Sequence, residues 1–255
     1  MSQLRFVKSP EELQAAAENN LEFFKANMVA VKAFYRTEPG LVEKLIPAPL
    51  SPTNDPMVRI VVSKVFVDLN GGMEFGAATF GVTCNYKGKP GIYEITMPME
   101  GEGVVVGGRE TYGEPKKIAT VNASLIGNNC IGTVERHGIT YIELKGELGE
   151  GLPTNDFTDE VYCFKVFPSC EQFKPCDQNP LLVRINMHRT LAKNIKLDGE
   201  IILRESPVDP VVDLPVREIV SLTWEEGTSA SNASVVQEVD IMNYIPFMHS
   251  RYDSA

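Results

Sequence analysis

The residues best suited to chemistry lie in one short stretch, GGRETYGEPKKIA, at positions 107–119. It concentrates charge between apolar flanks and contains the pair Lys116-Lys117. One reading of the pair is a solvated basic couple at a strand edge. The other is an amine nucleophile. A lysine attacks a ketone only as the free base, and its ordinary pKa of about 10.4 leaves almost none at neutral pH. Burial in an apolar cavity and a neighbouring cation both lower that value. Adjacent strand residues point to opposite faces, so two lysines in a strand send only one amine into a given cavity. Desolvation is then the larger influence. Glu114 lies two residues before Lys116 and shares its face if the segment is extended. It is either an acid/base group or a surface residue on a turn. Arg109 and Glu110 read as an internal pair that positions the stretch, and Arg109 is also a candidate for substrate binding.

Other chemistry finds little support. The three histidines, His137, His188 and His249, are scattered, and structural roles fit them better than catalytic ones. Without clustered His and Cys no metal site is expected. No G-x-S-x-G elbow marks a serine nucleophile. Gly101, Gly103, Gly107 and Gly108 lack the G-x-G-x-x-G spacing and are not followed by Lys-Ser/Thr, so they read as turns and close backbone approaches. Five cysteines form an odd set without C-x-x-C spacing, which fits reduced thiols in a cytoplasmic protein better than disulfides. The sequons at Asn122 and Asn232 are discounted, because no secretory signal precedes them.

The elements that would position these residues are mostly strands. Ser9, Pro10 and Glu12 form a capping box for a helix running to about residue 26. A short helix is expected from Thr37 to Ile46, stopped by Pro47 and Pro49. Strands are expected at 28–36, 57–67, 75–86, 92–99, 117–126, 139–146, 160–167, 182–187, 200–204, 215–224 and 235–242. Turns are signalled by Asn70-Gly71-Gly72 and by 87–91. In 92–99 Tyr93, Ile95, Met97 and Met99 fall on one face, and Glu94 and Thr96 on the other. Strands follow one another without regular helical crossovers. The expected fold is therefore α+β, a mainly antiparallel, barrel-like sheet in a single domain with a few peripheral helices.

Composition narrows the function. The chain has 255 residues, of which 43% are hydrophobic, so an ordinary core is available. Its formal net charge of −10 argues against nucleic acid and against an anionic membrane surface. Apolar runs are too short to span a bilayer. A small anionic substrate is still compatible, because Arg36, Arg109, Lys116 and Lys117 run against the global sign.

The segment GRETYGEPKK resembles the signature of the acetoacetate decarboxylase family, in which G-R-E…P-K-K carries a Schiff-base lysine. Activation of a lysine by desolvation and a neighbouring cation is the established device of that enzyme. Tyr35-Arg36-Thr37 is similar to the family's early Y-R-T segment, residues 86–93 to its hairpin, and residues 213–217 to its late strand. The resemblance covers about residues 28–245, with 1–27 as an N-terminal helical extension and 28–255 as the family domain. It implies that Lys116 is the nucleophile, that Lys117 helps keep it deprotonated, and that Arg36 pairs with a substrate carboxylate. Tyr93, Met97 or Met99 would supply apolar wall. Counting back from the hairpin, the family's two glutamates fall at Ala77 and Val62, and the nearest carboxylate, Glu74, lies on the opposite face. Glu114 is the candidate to stand in for them.

The implied function is decarboxylation of a small β-keto acid through a lysine imine. With the glutamates missing, aldol or dehydratase chemistry on a pyruvate-like acid through the same imine is the alternative. A non-catalytic small-ligand binder is the third reading. No cofactor is expected, since the lysine is itself the electron sink, and the resemblance implies a homo-oligomer.

Overall fold

The computed structural model describes residue 4 and residues 6–19, 24–68 and 72–253. In chain order the elements are α1 (Pro10–Asn19), β1 (Phe24–Arg36), α2 (Leu41–Lys44), β2 (Ser51–Pro52), β3 (Val58–Val67), β4 (Met73–Tyr86) and β5 (Lys89–Met99). They continue with α3 (Glu102–Tyr112), β6 (Lys116–Ile118), β7 (Thr120–Ile126), β8 (Asn129–Arg136), β9 (Ile139–Gly151) and β10 (Asp156–Lys165). Two long strands, β11 (Leu181–Leu203) and β12 (Glu218–Glu238), lead to 3₁₀ turns at Ile241–Asn243 and Ile245–Arg251.

The strands form one sheet in the order β10-β5-β4-β3-β1-β12-β11-β9-β8-β7. Most neighbours are antiparallel, as expected for a single α+β domain. The sheet is nonetheless mixed, because β6 and β10 both run parallel to β5. β10 also pairs antiparallel with the first half of β11. Its link to β5 is only two residue pairs, so the sheet bends round a cavity without becoming a continuous barrel.

The capping box is present: Ser9 N–H donates to Glu12 Oε2 at 2.8 Å, and Glu12 N–H to Ser9 Oγ at 3.2 Å. The helix is described only to Asn19, and β1 starts at Phe24, earlier than the expected Met28. Residues 70 and 71 of the expected Asn-Gly-Gly turn lie outside the described residues, as do 20–23 of the expected first helix. β8 has no counterpart among the expected strands. The expected pairs 182–187 with 200–204 and 215–224 with 235–242 are each one continuous strand, apart from residues 204, 215–217 and 239–242, which lie outside it. Long strands conceal their continuity because they cross from buried to exposed ground, and their hydrophobic alternation fades midway.

β3 and β4 position the site. Ile60, Val62, Ala78, Phe80 and Val82 face the main core, which also holds Tyr35, Tyr93 and Trp224. The alternate residues Val61, Ser63, Ala77 and Thr79 face a cavity on the other side. Both faces are covered, which explains why Val58–Ser63 is an unbroken buried run.

Candidate active site

Lys116 enters the cavity from the start of β6. Pro115 lies at a tight three-residue turn, closed by Lys116 N–H donating to Glu114 O at 2.8 Å. Pro115 O accepts from Met97 N–H at 2.9 Å, which fixes the turn to β5. Glu114 and Lys116 therefore turn into one cavity, and Lys116 Nζ lies 2.8 Å from Glu114 Oε2. That contact is an ion pair without hydrogen-bond alignment, since Glu114 Oε2 has no hydrogen-bond partner among the described residues. Among the described residues the amine makes one other bond, a long 3.4 Å one donated to Val104 O. Both side chains are buried, which removes the alternatives of a surface turn for Glu114 and of a solvated edge for Lys116.

The glycine-rich stretch before them is helical. α3 covers residues 102–112, where turns were expected, and it starts after Gly101 and ends at Gly113, whose φ is 71°. A side chain at Gly113 would also strike the β10 backbone at Lys165. The expectation of a close approach holds at Gly108. A Cβ there would lie 2.3 Å from Glu114 Oε2 and 2.5 Å from Lys116 Nζ. Helix propensity argues against glycine inside a helix; the need to bring α3 against the amine overrides it. Gly108→Ala is expected to fold normally, because the struck atoms belong to the flexible side chains of Glu114 and Lys116 and not to backbone. Turnover should fall about 10²-fold, the usual cost of misplacing a reacting group by about 1 Å. Steady-state kinetics beside an unchanged circular dichroism spectrum would check this.

A second carboxyl comes from β5 through a bulge. Ala77 pairs with Met99 and Phe80 with Thr96, but Gly81 pairs with Glu94, so Ile95 is an extra residue. A bulge re-aims the side chains around it. Here it turns Glu94, Met97 and Met99 into the cavity together, and leaves Ile95 and Thr96 on the far side. Simple alternation had put Glu94 opposite the methionines. Gly81 makes room: a Cβ there would lie 2.5 Å from Glu94 Oε2. Glu94 is fully buried and pairs with Arg59, which also donates to Asp159 Oδ2 at 3.3 Å. Burial raises the Glu94 carboxyl above the usual carboxylate range, and Asp159 and Glu114 add to this against the pull of Arg59. Glu94 Oε2 and Thr79 Oγ1 have no hydrogen-bond partner among the described residues. The cavity, about 360 Å³, thus holds two buried carboxyls, an amine, and the cations Arg59 and Arg189 on mostly apolar walls that also carry Thr79, Ser229, Ser231 and Asn232. Glu94, Arg59 and Arg189 were not foreseen, because only the bulge and the sheet's curvature bring them to the lysine.

Several expected site residues lie elsewhere. Arg36 is at the outer end of β1, partly exposed, and is occupied by Asp55 and Glu218 at 2.7 and 2.8 Å. It does not line the cavity and cannot meet a substrate carboxylate there. Lys117 points to the opposite face, where its ammonium meets Asp209 at 3.1 Å and Asp253 at 3.3 Å and donates to the carbonyls of Val208 and Tyr252. With two carboxylates on it, it is a structural anchor and no bare cation beside Lys116. Arg109 does not line this cavity, and no ion pair joins it to Glu110 among the described residues. It donates to Lys116 O at 2.8 Å and to Arg251 O at 3.1 Å, steadying the lysine's backbone. Tyr93 lies in the main core edge-on to Phe164, not on the cavity wall. Met97 and Met99 do form wall. Ala77 lines the cavity without a carboxylate, Val62 faces the main core, and Glu74 is exposed. All five cysteines are free. Among the described residues no cluster of His, Cys, Asp or Glu could hold a metal ion. No described helix is long and apolar enough to cross a membrane.

The sequence pattern of the acetoacetate decarboxylase (ADC) family matches residues 8–239, from before α1 to the end of β12. The chain belongs to the acetoacetate decarboxylase family. It is 29% identical over 199 residues to the acetoacetate decarboxylase of Acidiphilium cryptum, covering 73% of this chain and 77% of that one. The acetoacetate decarboxylase of Burkholderia multivorans is 28% identical over 196 residues, covering 73% and 76%. The fold is shared with the crystal structure of acetoacetate decarboxylase from Legionella pneumophila, with TM-score 0.71, 20% identity, and coverage of 85% and 87%. It is also shared with the enduracididine biosynthesis enzyme MppR complexed with pyruvate, with TM-score 0.68, 14% identity, and coverage of 84% and 90%. At such identities these structures speak for the fold.

Proposed function

We propose that the chain is a lyase that decarboxylates a β-keto acid through an imine on Lys116. The observation that carries this reading is an amine in an apolar cavity, 2.8 Å from Glu114 and sharing that cavity with the raised carboxyl of Glu94. The amine adds to the ketone carbon, and loss of water leaves an iminium. The C–CO₂ bond then breaks, and its electron pair moves to the iminium nitrogen to give an enamine and CO₂. Glu114 takes up and returns the protons of the nitrogen, and Glu94 supplies the proton that the enamine carbon needs. Hydrolysis releases the ketone and restores the lysine. No cofactor enters this scheme.

Two carboxyls beside the amine also suit a proton shuttle for aldol or dehydration chemistry on a pyruvate-like acid through the same imine. One experiment separates the readings. The purified chain is incubated with acetoacetate, pyruvate or acetopyruvate, reduced with borohydride and weighed intact, while CO₂ is followed. An adduct with CO₂ release is expected from the β-keto acid. An adduct without CO₂ release moves the assignment to the second reading, and no adduct with any carbonyl rejects the imine.

A further inference from the structure

We infer that the cavity is built for a 3-oxo acid with a medium-length alkyl chain, not for acetoacetate; the reaction, though not the binding, rests on the imine reading above. The cavity volume of about 360 Å³ falls where pockets hold ligands much larger than a four-carbon acid. At about 30 Å³ per displaced water, acetoacetate replaces four or five waters and fills less than half of it. Beyond Thr79 the wall that β4 gives this space is apolar, whereas β12 lines the cavity with Ser229, Ser231 and Asn232. Lys116 pairs with Met97 at the head of the cavity, and Met99 faces Ala77. From Ala77 the wall continues along β4 through Phe75 to Met73, about 13 Å at the strand rise. Val65 pairs with Phe75, and Val104 of α3 packs on the same cluster. Ser63 lines this wall too, but its hydroxyl is spent on Ala77 O at 2.8 Å, so it presents no free donor. Met73 is 42% exposed, so the apolar wall ends at solvent. A rigid aromatic pocket would suit one shape, whereas five of the chain's nine methionines line this cavity. Methionine's unbranched thioether adapts to flexible alkyl groups. The carbonyl end of the substrate meets Lys116, Glu94 and Glu114, and the alkyl tail runs along Met99 and Phe75 to Met73.

The test compares CO₂ release from acetoacetate, 3-oxohexanoate and 3-oxooctanoate. Burying one methylene is worth about a three- to fourfold gain. We expect kcat/KM to rise at least about tenfold from acetoacetate to 3-oxooctanoate, and flat or falling values overturn the inference. A binding arm keeps its failure distinct from failure of the imine. In Lys116→Met, which forms no imine, calorimetry should find 2-heptanone bound at least about tenfold more tightly than acetone, and equal affinities overturn the inference whatever the trapping result. Met73→Trp, at the exposed rim, should lower the preference for the longer acid over acetoacetate. An unchanged ratio in the folded variant removes the wall from the binding site.

Discussion

Lys116→Ala is expected to abolish imine trapping and to lower turnover by at least about 10⁴-fold, as loss of a covalent nucleophile does, while the chain stays folded. Stability should survive because the amine carries little structure: its contacts are the Glu114 ion pair at 2.8 Å and the long bond to Val104 O. Lys116→Met, which keeps the volume, guards against collapse of the cavity. Lys117→Met is the informative contrast. It strips a cation from Asp209, whose side chain is fully buried, and leaves Arg136 on it. Breaking such a buried pair costs about 3–5 kcal/mol. Urea unfolding should therefore show a large loss for Lys117→Met and little for Lys116→Met, with imine formation retained by the folded Lys117 variant. Residual turnover in Lys116→Ala comparable to the parent would end the nucleophile assignment.

The two neighbouring lysines mark what the sequence could and could not convey. Their divergence follows from strand geometry alone, and so was legible; which partners each would meet was not. Local signals were likewise legible: the Ser9–Glu12 box depends on residues three apart, and the turn before Lys89 shows φ of 49° and 81° at Lys87 and Gly88. Arg36 misled because a residue type at a familiar place says nothing about Asp55 and Glu218, which reach it from distant segments. α3 was hidden by Gly107 and Gly108, where packing against Lys116 outweighs propensity. Glu94 was hidden for a different reason. Alternation assigns faces only while the register is unbroken, and the Ile95 bulge shifts it by one. The residue-type signal was there all the same, since Glu94 is the one acid in a run that is otherwise buried from Ile92 to Met99 apart from Ile95.

Glu94→Gln is expected to lower kcat by about 10²- to 10⁴-fold, the range for loss of a general acid or base, and to leave imine trapping intact because Lys116 and Glu114 remain. The amide keeps the shape beside Gly81 and the oxygen that meets Arg59, so lost packing does not account for the loss. The pH dependence is the sharper readout. Burial raises the Glu94 carboxyl, so a step that needs its proton runs below the raised value and fails as pH climbs through it. The parent should show that alkaline limb in kcat, and Glu94→Gln should lack it, since an amide does not titrate. Stability follows the same sign. The folded carboxyl holds its proton more tightly than the unfolded chain does, so its contribution is fully present below the ordinary carboxylate range. That contribution is lost as pH rises through the raised folded value. Glu94→Gln should flatten the fall in thermal stability over this window. A variant with parental kcat at every pH would show that Glu94 only shapes the cavity. A variant with low kcat and an unmoved alkaline limb would transfer the proton to another group, with Glu114, on the other side of the amine, the first to examine by Glu114→Gln.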